Sequence, residues 1–491
     1  MKKVLLLNGE SVTPVKVREE WDILSAPRPF IPAISPTRKI KNALLNPDGT
    51  YPLPDLLRRS RKVVVAFDDI SVPFPPMISD IRKTVLDEVL KLILQAGIDR
   101  KNVTLLCATG LHRRCTPSEV RHMIGKKVWK GWIDRLNFHR EQDAVWIGDT
   151  EKGERVEINR HLLEADLVIY ISIVFLPMNG GWKSIAVGTG SFTTILESHN
   201  PDILISNSYM DTESEFHAII KRMGKVIKNK INLFKIELVL SNIFLPPVDI
   251  SLKNIAAKIP VAWDFYNNLP RIARYKTFQS IRSWYPLYEV FAGDVDTIHE
   301  KAIKEVKKQL SIYTPKKFDA VLFGLPSLSP YSVNSQTNPV LIHTMVSGYI
   351  YSLFKKAIKN GGVLIFWNPL EEVFDLDKHY PYVYLYNNHL PMECERRKDL
   401  EEFYWKNREF YHLYNNGYGY HGAHAILAWY WGCPGKVNTS AQIAIGGNPN
   451  VAEKLGMIAV NNVSEALEEA AKRTSITQIG LFLFLPIFLI G

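Results

Sequence analysis

The chain has 491 residues, of which 46% are hydrophobic and 22% charged, with a net charge of +10 and a pI of about 9.1. This composition excludes a disordered or low-complexity chain and predicts a globular protein of two domains. Its 60 Lys and Arg are scattered, with no dense basic run, interleaved aromatic signature or zinc-finger spacing, which argues against a nucleic-acid partner. The four cysteines, Cys107, Cys115, Cys394 and Cys433, include no C-x-x-C; they are compatible with a reduced compartment and give no disulfide framework. The opening M-K-K-V-L-L-L-N-G is too short for a signal peptide. The apolar run 479–490 is broken by Pro486 and falls short of the roughly 20 residues of a membrane span. It reads as a buried final strand, and the chain as cytoplasmic without a membrane span.

Residues 3–7 read as a strand, and the proline-rich, mixed-charge segment from there to Tyr51 as irregular. K-V-V-V-A-F at 62–67 is a short β-branched strand, followed by the breaker D-D-I-S-V-P-F-P-P. Apolar residues at helical spacing (Ile78, Ile81, Val85, Val89, Leu92) predict a helix that ends at Gly97. Residues 103–107 form the next strand, leading into A-T-G-L-H-R-R-C-T-P-S-E. Strand, helix, strand at this spacing is a βαβ unit, which predicts an α/β fold with a mainly parallel sheet and covering helices. Thr116, Pro117 and Glu119 mark a helix start, so His112 lies in the turn before a helix N-terminus. The positive end of the helix dipole favours a neutral imidazole there, suited to a general base. A lone histidine at such a turn can equally serve only its carbonyls.

A largely apolar run at 167–175 reads as a buried strand and leads into N-G-G-W-K-S-I-A-V-G-T-G-S-F-T-T-I-L-E-S-H-N at 179–200. Gly180, Gly181, Gly188 and Gly190 make a loop whose backbone can approach a ligand closely. Ser191 looks like an N-cap, with Phe192, Ile195 and Leu196 at helical spacing behind it. Lys183 sits in the loop and His199 at the helix end, around one glycine-lined space; a plain turn with a surface lysine and a capping histidine is the alternative. Trp182 before Lys183 rules out a phosphate-binding G-x-x-x-x-G-K-[ST], and Thr193 breaks a G-x-G-x-x-G. Asp68 and Asp69, His112 and the Lys183 loop all follow expected strands, so three strand ends deliver polar residues to one rim.

Residues 236–241 form another strand, followed by an aromatic and basic stretch at about 244–286 that reads as a packed insertion, a lid, a subunit contact or a membrane-surface patch. F-A-G-D at 291–294 precedes an amphipathic helix at 295–310. A second set begins with a strand at 319–325, a helix at 340–360 and a strand at 362–367, which places a domain boundary near Pro286: 1–286 and 287–491. His421 and His424, one turn apart, can bind a metal as a pair but lack a third ligand at known spacing. A strand at 443–446, a helix at 465–472 and the terminal strand complete the chain, with no internal repeat.

Taken in order, D-D-I-S-V-P-F-P at Asp68, A-T-G-L-H-R at Ala108, E-A-D-L-V-I at Glu164, G-G-W-K-S-I at Gly180, T-I-L-E-S-H-N at Thr194 and F-A-G-D at Phe291 resemble the nickel-dependent lactate racemase family. The resemblance runs from about Arg61 and weakens after Asp319. It implies two α/β domains with the active site in the cleft between them, and a nickel-pincer nucleotide (nickel-bound pyridinium-3,5-bisthiocarboxylic acid mononucleotide) as cofactor. The family's cofactor lysine would be Lys183, with Gly180, Gly181 and Ser184 of the same motif beside the cofactor. The nickel ligand would be His199, the proton-transferring histidine His112, and the aspartate approaching cofactor and substrate Asp69. Imidazole nitrogen suits nickel, and the cofactor would carry the hydride chemistry.

The departures also bear on function. The family's second catalytic histidine, ahead of the glycines, falls at Pro177 or Met178 in F-L-P-M-N-G-G. Its substrate-binding arginine becomes Val72, and the lysine of its second-domain carboxylate motif is absent from S-P-Y-S-V-N-S-Q-T-N-P. Without those charge-assisted pairs, lactate is not the expected substrate. The resemblance therefore implies a racemase or epimerase of another hydroxy acid or hydroxy compound, in contact with cofactor-biosynthesis proteins and open to homo-oligomerisation. Its second proton relay could be His343, Tyr331 or an inserted aromatic. The alternative is a non-catalytic homologue that binds the cofactor or nickel.

Overall fold

The computed structural model describes residues 3–244 and 260–491, with backbone alone for 260–263. The fold is α/β, with two six-stranded, mainly parallel sheets flanked by helices. In chain order the sheet strands are β1 (Trp21–Ser25), β2 (Val63–Asp68), β3 (Val103–Ala108), β4 (Leu136–Phe138), β5 (Leu167–Val174), β6 (Leu233–Leu240), β7 (Leu287–Gly293), β8 (Phe318–Gly324), β9 (Ile358–Trp367), β10 (Ala441–Ile445), β11 (Ile458–Val460) and β12 (Ile479–Leu483). The first sheet runs β7–β6–β5–β2–β3–β4, parallel except for the β6–β7 pair. The second runs β11–β10–β9–β8–β12–β1, parallel throughout. Central strands buried on both faces read as unbroken apolar runs, which is why V-V-V-A-F and L-V-I-Y-I-S-I-V were visible as strands.

The register brings the carboxyl ends level: Asp68 lies opposite Ala108, and Phe67 opposite Ile171. Ligands gather at such ends. The helices that bear on the site are α1 (Arg82–Gln95), α2 (Pro117–Trp132), α3 (Gly181–Ala186), α4 (Phe192–Ser198), α5 (Glu215–Lys228), α6 (Val295–Leu310) and α7 (His424–Asn438).

Several expectations are corrected. The segment up to Tyr51 is not irregular: Lys3–Asn8 and Ser11–Lys16 form a hairpin, Trp21–Ser25 is β1, and Pro36–Leu45 is helical. Its proline-rich composition masked an edge strand that pairs through β12. The helix expected over 340–360 gives way at Ile358 to β9, four residues before the expected strand start. The run 479–490 forms β12 and then a two-residue strand, Leu489–Ile490, beside Ser311–Ile312. Of the expected 244–286 insertion, helices Pro260–Asn267 and Arg271–Gln279 are described, while 245–259 lie outside the described residues.

Leu287–Gly293 hydrogen-bonds into the first sheet rather than opening a second domain. By sheet membership we propose a boundary after Leu310, with β1 returned to the second unit. Cys394 and Cys433 form a disulfide, Cα–Cα 5.4 Å, a pairing across 39 residues that no local spacing announces. Among the described residues no helix is long and apolar enough to cross a membrane.

Candidate active site

The three strand ends meet. Beyond β2, Asp69 is buried, and its Oδ1 accepts from Ser71 N (3.0 Å) and Ser71 Oγ (2.5 Å). Its Oδ2 lies 2.9 Å from His112 Nδ1. Arg82, at the start of α1, donates to the carbonyls of Asp68 (2.7 Å) and Asp69 (2.6 Å) and fixes this turn. Burial alone would raise the Asp69 carboxyl, but His112 and the Ser71 hydrogen bonds outweigh it and hold it below the ordinary carboxylate range. An ionised Asp69 accepting from Nδ1–H sets the His112 tautomer and leaves the Nε2 lone pair outward.

His112 is placed by the turn after β3. Gly110 has φ +52, donates its N–H to Gly188 O at 2.8 Å, and leaves no room for a side chain, since a Cβ would meet Val187 O at 2.6 Å. This close approach ties the His112 turn to the segment that follows Lys183. The helix start read from T-P-S-E is α2, closed by a capping box in which Thr116 and Glu119 satisfy each other's backbone N–H.

Lys183 lies on a helix rather than in a loop. Gly180 (φ +85) and Gly181 (φ +54) make the turn, and Gly181 N donates to Glu237 Oε1 at 2.6 Å, which launches α3. Burial pulls the Lys183 amine down to about 8, partly offset by Asp68. Ser191 caps α4 as expected, accepting from Thr194 N at 3.2 Å, and His199 terminates that helix. His199 Nδ1 is taken by Ile195 O (3.1 Å) and Ser198 Oγ (2.9 Å), and its ring stacks on Trp431 at 4.9 Å. Burial, then the charge of Lys183, pushes it down to about 3, so the imidazole is neutral with Nε2 free to ligate.

His112, Lys183 and His199 line one cavity of about 150 Å3, closed by Tyr331, His424 and Trp431 from the second unit. The remaining expected site residues fall elsewhere. Asp69 stands behind His112 rather than in the cavity. Gly180 borders a second cavity of about 630 Å3, which shares Lys183 and Met178 with the first. The Ser184 carbonyl accepts from Tyr170 OH at 2.5 Å.

Of the proposed second relays, Tyr331 lines the cavity, whereas His343 is fully buried against Trp429 at 4.1 Å and does not. His421 and His424 diverge: His421 faces Glu141 (3.7 Å) and His424 the cavity. Among the described residues no three His, Cys, Asp or Glu side chains converge on a metal position, so that pair is not a metal site by itself. His424 as a cavity residue was missed, since its spacing from His421 pointed only to metal.

Residues 8–211 match the lactate racemase N-terminal domain. The chain is similar to the lactate racemase of Thermoanaerobacterium thermosaccharolyticum, 32% identical over 178 residues, and to that of Lactiplantibacillus plantarum, 26% identical over 180 residues. Each match covers 35% of this chain and 40% of the curated relative. Among solved structures, the lactate racemase apoprotein from T. thermosaccharolyticum superposes over 98% of both chains with a TM-score of 0.65 at 19% identity. That last likeness is one of fold.

Proposed function

We propose, from the match of residues 8–211 to the lactate racemase N-terminal domain, that the chain is a member of that family and a nickel-pincer nucleotide-dependent racemase or epimerase of a hydroxy compound other than lactate. The observation that carries this reading is the convergence of Lys183, His199 and the Asp69-held His112 on one cavity.

The residues present fit the cofactor. Lys183 offers an amine that titrates near 8 and is therefore nucleophilic near neutral pH. His199 offers a neutral imidazole whose Nδ1 is already held, as a metal ligand requires. The larger cavity adjoining Lys183 provides room that the smaller one lacks. When bound, the group supplies a reversible hydride acceptor.

The chain's own residues do the rest. Asp69 keeps the proton of His112 on Nδ1 and steadies the imidazolium that forms when Nε2 takes the substrate's hydroxyl proton. Val72, Phe74, Phe175 and Met345 exclude water and suit a substrate with an apolar substituent. Lys183 is the only cation among the described lining residues, and the cofactor would consume it. Val72 in particular offers nothing to a small carboxylate, which supports a substrate other than lactate. The non-catalytic reading, binding of cofactor or nickel alone, rests on one observation: Met178, one of the two positions where a second proton-transferring histidine is expected, lines the cavity.

The test is intact mass and nickel content of protein co-produced with cofactor-making enzymes. A mass increase lost in Lys183→Ala, and nickel lost in His199→Ala, are the expected results; no adduct and no nickel would refute the reading. His112→Ala should retain nickel and lose turnover by about 100-fold or more.

A further inference from the structure

Met178 cannot carry a proton, yet an interconversion of two configurations needs a proton donor for each. His424, at the first turn of α7, meets the cavity from the second unit, opposite in origin to His112. The rings of His112, His424 and Tyr331 form a nearly equilateral triangle, with centroids 5.1 Å (His112–His424), 5.2 Å (His112–Tyr331) and 4.8 Å (Tyr331–His424) apart. Each imidazole has its Nδ1 engaged by a different kind of partner. His112 Nδ1 lies 2.9 Å from the Asp69 carboxylate, which only accepts, and His424 Nδ1 lies 2.5 Å from the Tyr382 hydroxyl, which can donate. Tyr382 is fully buried, and no other hydrogen-bond partner of its hydroxyl is found among the described residues.

Burial, reinforced by His112 and the neighbouring histidines, holds His424 well below the ordinary imidazole range. It is therefore neutral and carries one N–H. With Nδ1 accepting from Tyr382, that hydrogen sits on Nε2. His112 has the opposite tautomer, with a lone pair on Nε2. One cavity thus presents an acceptor nitrogen and a donor nitrogen from facing elements.

We propose that His424 is the second proton-transfer group of this site, replacing from the second unit the histidine missing at Met178, and that Tyr382 positions it. The inference rests on the racemase reading. In the forward half-reaction the substrate O–H bond breaks and its proton passes to His112 Nε2. The Cα–H bond breaks with it, and its hydrogen leaves with both electrons to a hydride acceptor of the pyridinium class. The substrate is oxidised by two electrons to the carbonyl compound. On the other face the hydride returns, and the carbonyl oxygen takes the Nε2 proton of His424 as the extra proton of His112, cationic from the first half, passes to that same nitrogen, so that His424 stays neutral and His112 returns to its neutral form. Protons and electrons are then restored.

Two measurements test this. Selective 15N-histidine NMR at neutral pH should report His424 as the Nε2–H tautomer in wild type, and Tyr382→Phe should shift it; an Nδ1–H tautomer in wild type would overturn the inference. In holoprotein co-produced with the cofactor-making enzymes, the oxidation half-reaction alone, read as the first hydride transfer to the bound acceptor in a single turnover, should be followed separately for the two enantiomers of 3-phenyllactate and of 1-phenylethane-1,2-diol. His424→Gln, which retains a side-chain amide for Tyr382, should keep nickel and mass adduct while the oxidation half-reaction of one enantiomer slows about 100-fold and that of the other changes little. Equal rates for both enantiomers in His424→Gln and wild type, or an equal fall in both, would sink the role of His424 alone. A wild-type holoprotein that turns over neither probe would sink the racemase reading for apolar hydroxy compounds and this inference with it.

Discussion

Lys235 shows how costly the ground beneath this site is. It is fully buried in β6, its Nζ has no hydrogen-bond partner among the described residues, and it lies 4.0 Å from the centroid of the Tyr170 ring. Burial lowers it to about 8, with Glu237 and then Asp68 opposing. Because an unfolded lysine titrates near 10.5, the unfolded chain binds more protons between about pH 8 and 10.5, and this residue's contribution to stability rises with pH across that window. Lys235→Met should therefore exceed wild type in urea-melt stability at pH 7.5, and the advantage should shrink by about 1–2 kcal/mol at pH 9.5. An unchanged gap between the two pH values would show that the amine is not held charged against burial. Comparing variant with wild type cancels the other groups that titrate in this range. Nothing local in F-K-I-E-L distinguishes a buried lysine from a surface one; the burial comes from the sheet flanking β6 on both sides. Lys183, His112 and His199 were legible because glycines and strand ends framed them, whereas His424 depends on a partner 42 residues away, Tyr382.

The start of α2 combines a local signal with a long-range one. T-P-S-E announced the cap, and the cap formed. The sequence did not announce that Glu119 also accepts both Arg113 Nη1 (2.9 Å) and Nη2 (2.7 Å) in a buried pair, and Asn334 Nδ2 (2.9 Å) from the second unit. Removing one partner of a buried pair strands the other, so Glu119→Ala should cost about 3–5 kcal/mol in denaturant melts. A loss under about 1 kcal/mol would mean that water reaches Arg113. Lys183 illustrates the converse. Four glycines suggested an open loop, but Glu237, remote in sequence, accepts the N–H of Gly181 and lets W-K-S-I-A wind into a helix. Composition could mark the turn but not its partner.

At the scale of the molecule, the βαβ spacing made the parallel first sheet legible, while the membership of its neighbour was not. Leu287–Gly293 joins the first sheet and Trp21–Ser25 the second, because pairing partners are chosen by apolar faces and not by chain order. Among the described residues β1 pairs only with β12, so deleting residues 1–25 should bare the β12 edge. Hydrogen exchange in the deletion variant should lose protection first in β12 and β8, with aggregation at raised concentration and little change in β2, β3 and β5. Uniform loss across both sheets would show instead that the two units open together.

The same pairing sets a clock. Trp21 meets Ile479 across roughly 450 residues, so at about 5–20 residues per second the ribosome needs roughly 20–90 s between making the first strand of that sheet and making the one it pairs with. For that interval W-D-I-L-S is an apolar segment without a partner, and the order of manufacture is the reverse of the order of assembly. The second sheet can close only once Ile479–Leu483 has been made, and the cavity wall that carries His424 waits with it.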